Sequence, residues 1–313
     1  MLTHGWRPAA IAAAVLATTG VLGAGAAPAL AISGIEEVRA ISVIDSSSAK
    51  TAEAKCPRGK DVIGGGGGLV WDAQHQSYNV ILTRLQPFHA WNRQQDSYIV
   101  GASETSTGEA GDWWIEAVAL CADPVPGLRV VAEQRGFSSA AMQNPEAHCD
   151  PGEKVLGTGA QVSLTNGQVG LQVARASTTG NWSYAFAHED PDGYQYGWYS
   201  WAYAVCAPEP AGYDVINAPS AYQDSEAAKT ATATCPAGTA LTGAGGATSF
   251  NAPGNVFLSR ILVDPQFNNR SAEAIAIEAF RPRPTGTSSS ARRSAPTETA
   301  ADSWPRPGFR GRG

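Results

Sequence analysis

Beyond residue 31 the chain has no apolar run long enough to span a bilayer as a helix, and no stretch holds a helical apolar period over several turns. The first absence predicts no membrane span in the mature region. The second predicts little helix. No Cys-x-x-Cys and no clustered His/Cys spacing occurs, so no zinc signature is present. There is no Gly-x-Ser-x-Gly elbow, and His75, His89, His148 and His188 stand in polar, turn-like contexts without a matching nucleophile. Cys235 has no nearby histidine. No catalytic residue is nominated, and no cofactor motif is found. The run Gly64–Gly68 lacks the Lys-Ser/Thr of a phosphate loop and leads into the strand-like Leu69-Val70-Trp71. Positive charge is scarce as well: residues 32–280 hold 14 basic against 26 acidic residues, a net of −12, which argues against a nucleic-acid partner.

The ends of the chain read differently. His4 and Arg7, the apolar run Ala9 to Leu22, and Ala29-Leu30-Ala31 have the order of a secretory signal and its cleavage site. Residues 1–31 are therefore expected to be a signal peptide and the mature protein to be secreted. Residues 281–313 carry seven arginines against Glu298 and Asp302, with much Pro, Ser and Thr. Such a composition cannot bury a core, so 284–313 is expected to be a disordered basic tail.

Between these ends lie three imperfect copies of one unit, with expected boundaries 32–128, 129–213 and 214–283. They open at Cys56-Pro57-Arg58-Gly59, Cys149-Asp150-Pro151-Gly152 and Cys235-Pro236-Ala237-Gly238, and glycines follow at the eighth and tenth positions after each cysteine. Each copy has a mid-unit stripe ending in arginine: Arg84, Arg175 and Arg260. The first two copies close on Ala119-Leu120-Cys121-Ala122 and Ala204-Val205-Cys206-Ala207, where the third reads Glu278-Ala279-Phe280-Arg281. The segments are short, β-branched and aromatic, and Gly, Pro, Asn and Asp clusters separate them, so an all-β fold of about five strands per copy is predicted.

Alternation along the closing strand puts Trp113, Ile115, Ala117 and Ala119 on the face of Cys121, and Trp198, Ser200, Ala202 and Ala204 on that of Cys206. A face so small invites a close neighbour, and the glycine run is the expected one. The repeat predicts disulfides Cys56–Cys121 and Cys149–Cys206, with Cys235 a free thiol because Phe280 takes its partner's place. The linkers Asp123-Pro124-Val125-Pro126 and Pro208-Glu209-Pro210 are short. The copies are thus expected to pack closely as a pseudo-threefold prism or barrel-like body, the alternative being tandem β-sandwiches.

The order Cys-Pro-x-Gly, glycine-rich strand, then Tyr203-Ala204-Val205-Cys206-Ala207 resembles a module of secreted proteins from actinomycete-type bacteria. The resemblance covers about 32–283 and implies an all-β fold, with no activity or catalytic residues to transfer. The threefold plan is similar, in architecture alone, to β-prism proteins of the vitelline-membrane outer-layer type.

Aromatics are the leading candidates for a site. Tyr194, Tyr196 and Trp201 belong to a cluster in the second copy, and exposed rings stack on the apolar C–H faces of sugars. Arg84, Arg175 and Arg260 would converge on an anion in a threefold body, or each would pair locally. Asp190 and Asp192, in Asp-x-Asp-Gly, offer oxygen ligands for Ca²⁺ but lack the distal glutamate of an EF-hand loop. The same carboxylates would serve a glycosidase only if they flanked a cleft. The reading is a secreted, non-catalytic β-repeat protein binding an extracellular glycan or cell-envelope polymer. A glycan-acting hydrolase and a purely structural protein are the alternatives.

Overall fold

The computed structural model describes residues 30–70, 79–90, 95–220, 226–248, 254–264 and 270–279. Most of the segment expected to be a signal peptide, Trp71, Trp91, Phe280 and the basic tail lie outside them. The described residues contain no helix and seventeen strands, all within one compact unit. The first copy forms β1 (Glu36–Ile41), β2 (Ala49–Lys55), β3 (Asp61–Leu69), β4 (Val80–Phe88), β5 (Ser97–Glu104) and β6 (Ile115–Ala122). The second forms β7 (Arg129–Ser138), β8 (Met142–Gln143), β9 (Glu146–His148), β10 (Glu153–Ser163), β11 (Val169–Ala176), β12 (Trp182–Glu189) and β13 (Trp198–Pro208). Among the described residues the third forms β14 (Ala228–Thr234), β15 (Gly246–Ala247), β16 (Val256–Asp264) and β17 (Ser271–Glu278).

The copies are not tandem sandwiches, because each divides its strands between two sheets. Sheet I runs β1-β6-β3-β16-β17-β14, sheet II runs β2-β5-β4-β10-β13-β7, and sheet III runs β15-β11-β12-β8 with β9 also on β12. Copies one and three therefore share sheet I, copies one and two share sheet II, and copies two and three share sheet III. Each seam joins a glycine-rich strand to a neighbouring copy's arginine strand: Gly68 pairs with Arg260, Gln161 with Arg84, and Gly246 with Ala174, the residue before Arg175. This is the arrangement of a threefold β-prism, and the strand pairing is antiparallel throughout the three sheets.

The glycine spacing follows from that arrangement. Gly64, Gly157 and Gly243, each eight residues after its cysteine, meet backbone to backbone. A Cβ on Gly157 would lie 2.5 Å from both Gly64 Cα and Ile63 O, and one on Gly243 would lie 2.7 Å from Gly157 Cα. The glycines at the tenth position sit against the seam: a Cβ on Gly66 would meet Ile261 O at 2.2 Å, and one on Gly159 would meet Leu85 O at 2.3 Å. Only a residue without a side chain lets three backbones approach this closely.

The glycine run is the lateral partner of the closing strand in the same sheet, from Gly64 opposite Leu120 to Gly68 opposite Glu116, with a bulge between Val62 and Gly64. It is not the layer above the closing strand, as its small face suggested. That layer is β2. Its alternation buries Ala52, Ala54 and, at its end, Cys56 against the Ala117–Ala119–Cys121 face of β6. The two predicted disulfides clasp this packing, Cys56–Cys121 and Cys149–Cys206, each with Cα atoms 5.6 Å apart. Their presence fits folding in an oxidising compartment. No described helix is long and apolar enough to cross a membrane.

Candidate functional site

Strand parity sorts the aromatics of the second copy. On β13, Trp198, Ser200, Ala202 and Ala204 are buried with Cys206, whereas Tyr199 and Trp201 stand half-exposed on the other face. Phe137 of the adjacent β7, 60% exposed, joins them. The ring centroids of Phe137 and Tyr199 are 5.2 Å apart, and those of Tyr199 and Trp201 are 5.8 Å apart. The Phe137 ring rests on bare backbone at Gly197, where a Cβ would meet it at 2.4 Å. The outer face of sheet II thus carries a row of three rings, tilted by 48° and 36° as the sheet twists.

A second stripe lies on sheet III. The alternation of β12 turns Trp182, Tyr184 and Phe186 outward and buries Ser183, Ala185 and Ala187. His148 stacks on Trp182 at 5.7 Å, and the Arg175 guanidinium lies over Tyr184 at 5.8 Å.

Of the residues nominated from sequence, Trp201 belongs to the row on sheet II. Tyr196 is exposed and edge-on to Tyr194 at 5.6 Å, but Tyr194 itself is buried, so the pair offers one accessible ring. Both lie in the turn after β12, where strand alternation does not apply. The three arginines stand at three different seams, one in each sheet, with different partners. Arg84 bonds Gln86. Arg175 donates to Asn217 Oδ1 at 2.8 Å and to the Ala176 carbonyl at 3.2 Å. Arg260 lies 3.6 Å from Glu116, and burial pulls its guanidinium below the ordinary arginine range.

Asp190 and Asp192 fall on the turn that carries the chain from β12 in sheet III to β13 in sheet II. Asp190 is buried, and that burial pushes its carboxyl up. Among the described residues, the groups of three with metal-binding spacing are Cys149–Glu153–Cys206, whose sulfurs are already bonded, and Asp61–His89–Asp96. In the latter, Asp96 accepts from the amides of Val62 and Ala90 at 2.9 Å and sits 2.7 Å from His89 Nδ1, while Asp61 accepts the amide of Val125. These carboxylates serve as backbone acceptors that tie loops to strand ends.

One repeated pair escaped the sequence reading. Trp113 Nε1 donates to Glu104 Oε1 at 3.0 Å, and Trp198 Nε1 donates to Glu189 Oε1 at 3.1 Å. Each glutamate ends one strand, and each tryptophan lies nine residues later, at the approach to the closing strand or at its start. The equal separation was the available signal. In copy one the clasp is completed from below by Lys50, buried, paired with Asp45, its ammonium 4.7 Å from the Trp113 ring centre.

A cavity of about 810 Å³ opens beside β14 and β15, lined by Ala231, Ala233, Cys235, Leu241 and Tyr213 among others. Cys235 is a free, half-buried thiol there, and burial pushes its pKa up. No family model matches the chain, and no curated protein matches its sequence.

Proposed function

We propose that the chain is an exported, non-catalytic protein that binds an extracellular glycan or cell-envelope polymer along the outer face of sheet II. The observation that carries this reading is the Phe137–Tyr199–Trp201 row, three half-exposed or exposed rings spaced about one sugar unit apart on a rigid sheet. Sugar rings present apolar C–H faces that stack on such surfaces, and a twisted row suits a twisted polymer chain. The two disulfides and the signal-like amino terminus support an extracellular setting. On this reading the module resembling those of secreted actinomycete-type proteins is a surface-binding unit.

The test is a titration of the mature protein with purified cell-wall polysaccharides, followed by tryptophan fluorescence. Saturable quenching is expected. Trp201→Ala and Tyr199→Ala each weaken binding roughly tenfold, the worth of one stacked ring. Tyr196→Ala leaves it unchanged. A flat response of the unmodified protein across several glycans overturns the reading.

A further inference from the structure

We propose that the polymer bound along the Phe137–Tyr199–Trp201 row is an acidic one, a polysaccharide bearing a carboxylate or phosphate on its repeating unit, and that Arg84 is the anion subsite beside the row. The inference rests on the glycan reading of sheet II and names the class of polymer.

Sheets I and II build their seams on one plan. In sheet I, Gly68 of β3 pairs on one side with Glu116 of β6 and on the other with Arg260 of β16. In sheet II, Gln161 of β10 pairs on one side with Trp201 of β13 and on the other with Arg84 of β4. The positions correspond. Glu116 and Trp201 each stand five residues before their closing cysteine, and Arg260 and Arg84 each end a mid-unit stripe. Residues directly opposite across antiparallel strands share a face, so each seam is a row of three positions on one side of its sheet. In sheet I the middle position is glycine, and Arg260 lies 3.6 Å from Glu116 across it. In sheet II an indole stands where that carboxylate would be. Arg84 therefore has an aromatic neighbour in place of an ionic partner.

The strands around Arg84 supply no substitute. β4 and β13 contain no acidic residue, and the one in β10, Glu153, is paired with Arg129 at the start of the strand. Arg84 donates from Nε at 2.7 Å, and also from Nη2, to Oε1 of Gln86, a neutral group. Among the described residues no carboxylate pairs with it. Gln86 takes up the Nε edge of the guanidinium, which leaves the Nη1 donors for a ligand. Arg84 is half-buried, so its charge is partly stripped of water, and an anion brought to it gains more than at a fully solvated arginine. Gln161, between the guanidinium and the indole, is held in place by the Tyr203 hydroxyl, which donates to its Oε1 at 2.8 Å.

The spacing suits a polymer. Neighbouring strands lie about 4.8 Å apart, so the Trp201 and Arg84 backbones, two strands apart, are separated by roughly 10 Å. The rings of the row follow one another at 5.2 and 5.8 Å. The unit after the one stacked on Trp201 thus lies over Gln161, with its acidic substituent within reach of the long arginine side chain. A planar guanidinium suits carboxylate and phosphate oxygens alike, so the shared chemistry is an oxyanion on the repeat. The net charge of −12 over residues 32–280 opposes unspecific attraction of such a polymer, which leaves its binding to this face.

The test is a titration of the mature full-length protein with three polymers, read by tryptophan fluorescence: polygalacturonate, the same material with its carboxyls reduced, and a glucosylated poly(glycerol phosphate). At least one acidic polymer is expected to bind roughly tenfold or more tightly than the neutral one, and added salt should weaken that binding alone. The tighter of the two acidic polymers decides between a sugar acid and a phosphodiester. Arg84→Gln lowers the affinity for the favoured acidic polymer roughly tenfold, to that of the neutral one, and Arg84→Lys recovers part of the loss. Gln161→Glu still accepts the Tyr203 hydroxyl but sets a carboxylate beside Arg84, and it produces the same loss with the thermal midpoint kept. Equal or weaker binding of the acidic polymers overturns the inference and leaves the glycan reading standing. So does an acidic preference that survives either substitution. Binding of none of the three, nor of any cell-wall polysaccharide, removes the glycan reading itself and this inference with it.

Discussion

Replacing Gly157 by alanine tests the threefold backbone junction directly. The new Cβ would lie 2.5 Å from Gly64 Cα and 2.5 Å from Ile63 O. Ordinary carbon contacts lie near 3.5–4.0 Å, so the overlap is about an ångström or more. Both neighbours are backbone atoms of another copy, and no rotamer change relieves the clash. Overpacking of this kind costs about 1–3 kcal/mol, and a clash relieved only by shifting strands belongs at the upper end, about 3 kcal/mol. For a domain of roughly 150–250 residues each kcal/mol moves the thermal midpoint by about 2–4 °C, so a fall of about 6–12 °C is expected. Circular dichroism melting of the mature protein with its disulfides intact reads this. Gly64→Ala should behave alike, because its Cβ would meet Thr242 O at 2.3 Å. Gly243→Ala should cost less, since its segment borders the open cavity and has room to retreat. Gly136→Ala, with no atom within 4 Å of its Cβ, is the control and stays within about 1 kcal/mol of the parent. A Gly157→Ala protein that melts with the parent refutes the junction.

Cys206→Ser opens a loop of 57 residues and should lower stability by about 4 kcal/mol in denaturant titration, with Cys121→Ser, which opens 65, equal or slightly larger. Glu189→Ala strands two buried donors, the Trp198 indole N–H and the Tyr194 amide, and should cost about 2–4 kcal/mol by the same measurement; Glu189→Gln recovers part of this, since one carbonyl oxygen remains. The hydrogen bond from Lys50 holds the Asp45 carboxyl well below its usual range, and that from Arg129 lowers Glu153. A carboxyl with a depressed folded pKa stabilises the fold above its unfolded value of about 4 and loses that contribution as pH falls through the folded value. The parent should therefore lose stability steadily below about pH 4, and Asp45→Asn with Glu153→Gln should flatten that limb; an unchanged acid limb in the double variant contradicts the assignment.

What could be read from the chain was whatever repeats locally. The cysteine pairing, the all-β class and the small face of each closing strand all follow from spacing and parity, and Trp198 on the Cys206 side is buried for the reason parity gives. The sharing of sheets between copies was not local. It depends on pairings such as Gly68 with Arg260, far apart in sequence, and the glycine spacing announced close packing without naming the neighbour. For the same reason the glycine run was placed above the closing strand rather than beside it. Tyr194 was misjudged as a surface ring because it lies in a turn, where alternation carries no information, while Phe137 was missed because its neighbours in the row are on a strand distant in sequence. The loss of Cys121's equivalent in the third copy was visible from the start, but its meaning was not. A missing cysteine reads as a single lost bond until sheet III shows that, among the described residues, the third copy adds only β15 to that sheet. Lys229, Glu278 and Arg175 line the cavity there, and their counterparts in the first copy touch Trp113, just before β6, and Glu116 on it.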